Sequence, residues 1–313
     1  MNKTGEWTEK VHIVKQNLKI FDLVNTDGEL VELHSQTKDL LAMEIVNYAE
    51  QLNNIDDKSK GSKDGVELRK SNDLFKQAID EYCGNFYFIF YNRLLSKGVS
   101  PQYIFRFLYL CVYMDYENRL TIKKDKIKHL IYESDLQDIL KLGRTETYKT
   151  KTELIKKELI TINEDGIIEI NKIYCKKGTI LKNKKVGKAR MFDDAIKEIY
   201  EKSTPKEHKK LALFIELLKY CNLKYNMIAK DTHEQNIDCI KPYSLKELCI
   251  LLNQSNVTKF KNDLLSLSIN GEPVIAFHET KQAKIITVNP RLFYMGTTIE
   301  ELDWLINMFK VKS

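Results

Sequence analysis

The sequence predicts a mainly α protein with small β-hairpins, and three observations carry that prediction. The first is an internal repeat: Ile168, Glu169, Ile170 and Asn171, followed by Gly178 and Thr179, return as Ile286, Thr287, Val288 and Asn289, followed by Gly296 and Thr297. In both places the Asn stands seven residues before the Gly, and a recurrence of this kind outranks local signals in reading a fold. The second is that each recurrence closes a similar series: an apolar helix, two shorter helices separated by a turn, and a hairpin. The third is composition. Over 313 residues, 43% are hydrophobic and 30% charged, which describes a globular chain long enough for about two domains.

Matching blocks extend the repeat upstream. Leu142, Gly143, Arg144, Thr145, Lys149 and Lys151 answer Leu252, Asn253, Gln254, Ser255, Lys259 and Lys261 at an offset of 110, and Pro101 answers Pro205 at 104. The offset is 118 at the two Asn residues, so the second copy carries eight additional residues before its last strand. The expected division is a hairpin-helix module and linker over 1–70, a first copy over 71–181, a basic linker over 182–190, a second copy over 191–297 and an amphipathic helix over 298–313.

Taken in order, residues 11–33 alternate around a break at Asn25, Asp27 and Gly28, which reads as a β-hairpin. Leu40, Leu41, Ile45, Tyr48 and Leu52 fall at helical spacing. Together they make a small N-terminal α/β module, and 53–65 reads as a linker. The first copy opens on a helix expected from Asp73 to about Ser96, whose run Phe86, Tyr87, Phe88, Ile89, Phe90, Tyr91 implies burial on most faces, with Gly84 as an interruption. A second helix starts at Pro101, a favoured first-turn residue. After short segments to Leu140, Gly143 and Arg144 form a turn and Thr145 is expected to cap a helix reaching about Leu159. Residues 160–170 then form a hairpin turning at Asn163 to Gly166.

Helix, turn, helix, hairpin is the winged helix-turn-helix plan, whose second helix enters the major groove. The second copy repeats it. Ser244 caps one helix and Ser255 is expected to cap the next, where Val257, Phe260, Leu264 and Leu267 share a face and Asn256, Thr258, Lys259 and Asn262 are left outward. A longer hairpin over 274–288 follows, with a mildly basic tip where the first copy has Glu164 and Asp165. Thr298 to Glu301 makes a capping box for the last helix.

Net charge is +6, and residues 147–190 alone hold twelve Lys and Arg against five acids, so one junction carries the whole excess. Such a block suits a phosphate backbone. Gly187 and Lys188 do not make a phosphate-binding loop, because Lys182 and Ala189 stand where Gly and Ser/Thr are needed. Six Cys without a Cys-x-x-Cys pair read as buried thiols in a reducing cytoplasm. The longest apolar run, 103–114, contains Arg106 and is too short to cross a bilayer. His233, Glu234, Asp238 and Cys239 read as loop polarity, and no His-Glu-x-x-His or Gly-x-Ser-x-Gly pattern occurs. The expectation is a binding protein without metal, cofactor or catalytic residues.

Gly84, Asn85 and Phe86, then Asn92, Arg93, Leu94 and Leu95, the apolar helix over 103–114 and the Asn171 to Gly178 ending carry a resemblance. The first copy resembles the RepL-type plasmid replication proteins of Firmicutes and related phage proteins, which pair a Gly-Asn-Phe helix with a winged helix and an Asn-Pro…Gly ending. The second copy has that ending more fully in Asn289, Pro290 and Gly296, whereas Lys172 replaces the Pro in the first. The resemblance spans roughly 84–297. Two winged helices in one chain are similar in architecture to the iteron-binding initiators of theta-replicating plasmids.

What this implies is site-specific double-stranded DNA binding on a plasmid or phage, as a replication initiator. A transcriptional regulator or phage repressor uses the same parts. The reading from another class is a protein-interaction scaffold, favoured by the acidic turn at Glu164 and Asp165. Arg144, Thr145, Lys149 and Lys151, with Asn256, Thr258, Lys259 and Asn262, are the expected groove-facing residues. Lys176, Lys177, Lys182, Lys184, Lys185, Lys188 and Lys281 are the expected phosphate contacts. Further expected partners are a second copy of the chain and host replication or transcription proteins.

Overall fold

The computed structural model describes residues 23–24, 30–31, 63–178, 180, 187–279 and 284–310. The chain divides into two compact units, Met1–Asp73 and Leu74–Ser313. In the first, β1 (Leu23–Val24) pairs antiparallel with β2 (Leu30–Val31), Leu23 opposite Val31, as the alternation predicts. The expected helix over 39–52 lies outside the described residues. Helix α1 (Lys63–Tyr82) begins inside the stretch read as linker.

In Leu74–Ser313 the expected long helix is broken. Gly84 takes φ +80, and the aromatic run becomes a strand, β3 (Phe86–Ile89). Alternation explains why. Tyr87 and Ile89 are fully buried on one face while Phe86 and Phe88 are half-buried on the other, a two-sided arrangement that aromatic and β-branched residues favour. Helices α2 (Tyr91–Ser96) and α3 (Pro101–Val112) follow. Next come the hairpin β4 (Thr121–Lys124) and β5 (Ile127–Leu130), α4 (Leu136–Leu140), α5 (Arg144–Lys156), and the hairpin β6 (Ile160–Ile162) and β7 (Ile168–Ile170). Strand β8 (Cys175–Lys176) closes the first copy.

The second copy runs through β9 (Ala189–Phe192), α6 (Asp193–Lys202), α7 (His208–Leu211), α8 (Leu213–Leu217), α9 (Leu245–Leu251) and α10 (Val257–Leu265). After the short pair β10 (Ser268–Ile269) and β11 (Glu272–Pro273) come the hairpin β12 (Ile275–Glu279) and β13 (Lys284–Val288), then β14 (Phe293–Tyr294) and α11 (Ile299–Lys310). Helix takes 46% and strand 21%, so the class is mixed α/β with several small antiparallel sheets, more strand than two wing hairpins supply.

The additional strand is a sheet that both copies build. Its order is β14-β9-β3-β8, all antiparallel, with β3 of the first copy and β9 of the second at the centre. Ala189 and Arg190, expected in a basic linker, are therefore central-strand residues. Helices from both copies cover the sheet: Phe105 packs on Tyr200, His208 and Phe214, and Tyr109 stacks on Tyr200 with ring centroids 3.7 Å apart. Burial of this aromatic surface joins the two copies into one core.

Hydrogen bonds define the repeat more sharply than residue identity does. Asn118 and Asn226, both buried and at positive φ, donate through Nδ2 to Ile170 and Cys175 carbonyls in one copy and to Val288 and Phe293 carbonyls in the other. Each acceptor pair is 118 apart. Asn171 and Asn289, the residues of the sequence repeat, accept from the Ile173 and Arg291 amides. Each pair of short helices is also aligned by its bonds: Leu142 N donates to Gln137 O and Gln254 N to Cys249 O, an offset of 112. Thr147 N donates to Gly143 O and Phe260 N to Asn256 O, an offset of 113.

The offset of 110 read from sequence is thus about one helical turn short, because matching lysines on a solvated face satisfied identity while caps and buried positions set the true register. Thr145 is not the cap of α5, since Gly143 holds that position and Thr145 lies inside the first turn. Ser255 is not the cap of α10. Asn256 is, its side chain accepting from the Lys259 amide at 2.8 Å. Between these helices and the Asn pair the second copy is longer by five residues rather than eight.

Candidate nucleic-acid interface

Each copy presents the same local series: a short helix, a turn through a left-handed residue (Lys141 at φ 51, Asn253 at φ 50), a second helix and an antiparallel hairpin. The second helix is anchored from beneath in equivalent ways. In the first copy the buried Arg106 of α3 donates through Nη1 to Thr150 Oγ1 at 2.8 Å and Glu146 Oε2 at 3.1 Å, and through Nε to His208 Nδ1 at 3.2 Å. In the second copy Lys210, 104 residues on from Arg106, pairs with Asp263, 113 on from Thr150, at 3.1 Å. These bonds fix which face of each second helix turns outward. Burial, with the Arg106 guanidinium beside it, pushes the His208 imidazole down to about 4, so His208 is the neutral acceptor that Arg106 needs.

The outward face of α5 holds Arg144, Thr145, Tyr148, Lys149, Thr152 and Lys156, all exposed. That of α10 holds Thr258, Lys259, Lys261 and Asn262, also exposed. Six of the eight expected groove-facing residues, Arg144, Thr145, Lys149, Thr258, Lys259 and Asn262, are brought onto these two faces. The others differ. Asn256 is engaged as a helix cap, and Lys151 turns aside to pair with Glu133 while its ammonium lies 5.5 Å over the Tyr148 ring. Lys151 lines a groove of about 730 Å³ with Tyr132, Glu133, Arg144, Tyr148 and Asp165. Glu133 and Asp165 there offset Lys151 and Arg144, so the groove has no net positive charge with which to seat a phosphate.

Among the expected phosphate contacts, Lys177 is committed to the fold: it pairs with the buried Asp193 at 2.8 Å. Lys176 is half-buried in the edge strand β8, and Lys188 is half-buried. Lys182, Lys184, Lys185 and Lys281 lie outside the described residues. Arg190, counted in the same basic block, sits in the central strand at 5.2, 5.7 and 5.7 Å over the rings of Phe75, Phe86 and Phe88 and donates to Gly296 O at 2.9 Å. Among the described residues the block is therefore no continuous patch, because its members belong to a strand, a core and a helix face in turn.

A basic element that sequence reading passed over is the hairpin β4–β5. Lys123, Lys124, Lys126, Lys128 and His129 are all exposed there with Asp125 in the turn, and of these Lys128 pairs with the buried Asp115 at 3.1 Å. Asp125 and Lys126 both take positive φ, the two-residue turn that matches strand twist, normally signalled by Asn-Gly. Asp-Lys carries no such signal. The alternation around Ile122 and Ile127 was the only available cue.

Among the described residues no helix is long and apolar enough to cross a membrane, and no group of three or more His, Cys, Asp and Glu is placed to hold a metal ion. Compared with known proteins, the chain matches no protein family, no curated protein and no solved structure.

Proposed function

We propose that the chain binds double-stranded DNA at a specific site of a plasmid or phage through two winged helix-turn-helix units, and acts as a replication initiator. One observation carries the reading. The same helix, turn, helix and hairpin is built twice on equivalent hydrogen bonds, and a carboxylate of each second helix pairs with a cation of the helix beneath it, Glu146 with Arg106 and Asp263 with Lys210, with Glu146 also accepting from Lys149 at 3.4 Å. Arg144, Lys149 and Lys156 on α5 and Lys259 and Lys261 on α10 are left outward, the arrangement a groove-reading helix requires. The β4–β5 hairpin supplies further cations for the flanking backbone. The initiator role rests on the resemblance of the first copy to RepL-type proteins.

The test is duplex binding against salt. With about six phosphates neutralised, log affinity falls on log salt with a slope near about −5. Footprinting then separates the roles: protection over a repeat-rich origin supports an initiator, and protection over a promoter supports a regulator. A protein-interaction scaffold is the second reading, favoured by the exposed Glu164 and Asp165 at the first hairpin's turn and by the two carboxylates in the groove beside α5. A flat salt dependence, or no duplex binding at low salt, selects the scaffold.

A further inference from the structure

We propose that one chain reads an inverted repeat with two unequal halves, α5 taking one half and α10 the other. The inference rests on the DNA-binding reading above and specifies the symmetry of the site.

The central sheet supplies the geometry. Phe88 of β3 faces Arg190 of β9 across the middle of the sheet. Outside them, Phe88 pairs with Lys176 of β8 and Arg190 with Tyr294 of β14. Lys176 and Tyr294 are 118 apart, the offset of the two repeat asparagines, so Phe88 and Arg190 are equivalent residues by their outer neighbours and also face each other directly. Two equivalent residues on antiparallel strands meet in this way only on a two-fold axis, as in an isologous interface between subunits. The helices obey the same axis. Helix α3 packs on α6, and reciprocally α2 packs on the turn of 3-10 helix Leu218–Tyr220 that ends α8. The equivalent helices α3 and α7 meet across the axis.

A two-fold axis between two reading heads inverts one head relative to the other, and the half-sites of the DNA mirror that relation. A direct tandem repeat would need the heads related by translation along the duplex, which this sheet does not allow. Two covalently joined heads also mean that one chain covers both halves.

The halves differ because the outward residues differ at equivalent positions. With an offset of 113, Lys149 answers Asn262, Glu146 answers Lys259 and Arg144 answers Val257, while Thr145 answers Thr258. Lys pairs with the guanine O6 and N7 edge, whereas Asn pairs bidentately with the adenine N6 and N7 edge. The structure therefore assigns a guanine-preferring position to the α5 half where the α10 half prefers adenine.

The experiment selects duplexes from a randomised library with the full chain at low salt, sequences them, and measures the mass of the complex by sedimentation. The expected result is a consensus of two dissimilar half-sites in inverted orientation with one chain per duplex. Lys149→Gln should lower discrimination by about tenfold or more in one half only, and Asn262→Ala in the other only. Half-sites in direct orientation, a single half-site, or two chains on each inverted repeat overturn the inference and leave DNA binding intact. A selection that enriches no sequence, with no duplex bound, overturns the DNA reading and this inference with it.

Discussion

At the scale of single residues, Asn118 and Asn226 define the fold in both copies. Each combines two properties that Asn alone joins well: tolerance of positive φ and an amide that donates twice to backbone carbonyls. Replacing either with Ala strands two buried carbonyls and adds left-handed strain, a cost of about 2–4 kcal/mol. Urea unfolding should show it, and Asn→Gly at the same positions should recover about 1 kcal/mol by relieving the strain alone. Equal losses for Ala and Gly would assign the whole effect to the hydrogen bonds. His208 offers a pH test. Its folded value of about 4 lies below the ordinary imidazole value of 6.5, so the unfolded chain binds the additional proton between those limits. Stability is then fully present above about pH 6.5 and falls as pH drops toward 4. His208→Gln should flatten the dependence of the urea midpoint on pH across this window, and an unchanged slope would place the titration elsewhere.

At the scale of elements, the second helices and the basic hairpin make separable contributions. Lys259→Glu on α10 should abolish site-specific duplex binding while leaving the unfolding free energy from urea titration within about 0.5 kcal/mol, since the side chain is exposed. Lys177→Met should do the reverse. It removes the partner of the buried Asp193 and lowers stability by about 3 kcal/mol, yet leaves the salt slope unchanged. Replacing Lys123, Lys124 and Lys126 together by Gln should reduce the magnitude of the salt slope by up to about 3 if the β4–β5 hairpin lies along the phosphates. An unchanged slope would remove that hairpin from the interface. These elements also mark how far local sequence reaches. The helix over 101–112, the capping box at Ser244 and Glu247 and the turn at Asn163 to Gly166 are written in residues whose chemistry is local. The strand at 86–89 is not, because its partners lie 86 to 106 residues away and only pairing with β8 and β9 turns an apolar run into a strand.

At the scale of the whole molecule, the two copies form one body whose centre is the sheet they share. Residues 74–181 alone would expose the edge of β3 where β9 pairs, together with Phe105 and Tyr109 where α6 and α8 pack. Such a fragment should associate or fail to fold, by circular dichroism and sedimentation, because an open apolar strand edge invites pairing. A monomeric fragment with the urea midpoint of the full chain would show that each copy carries its own core. The amino-acid sequence by itself determined the recurrence at Asn171 and Asn289 and the order of short helices and hairpin before each, which depend on turn chemistry and short-range periodicity, whereas the two domains expected over 71–181 and 191–297 lie within one compact unit, Leu74–Ser313. It misread the register of the second helices by a turn, since exposed lysines recur without structural constraint. Only the tertiary structure decided that Ala189 and Arg190 lie in a central strand, that Arg106 anchors α5, and that Phe88 and Arg190 face each other across the middle of the sheet. Those features arise from pairing and burial between segments about a hundred residues apart, which no local pattern encodes.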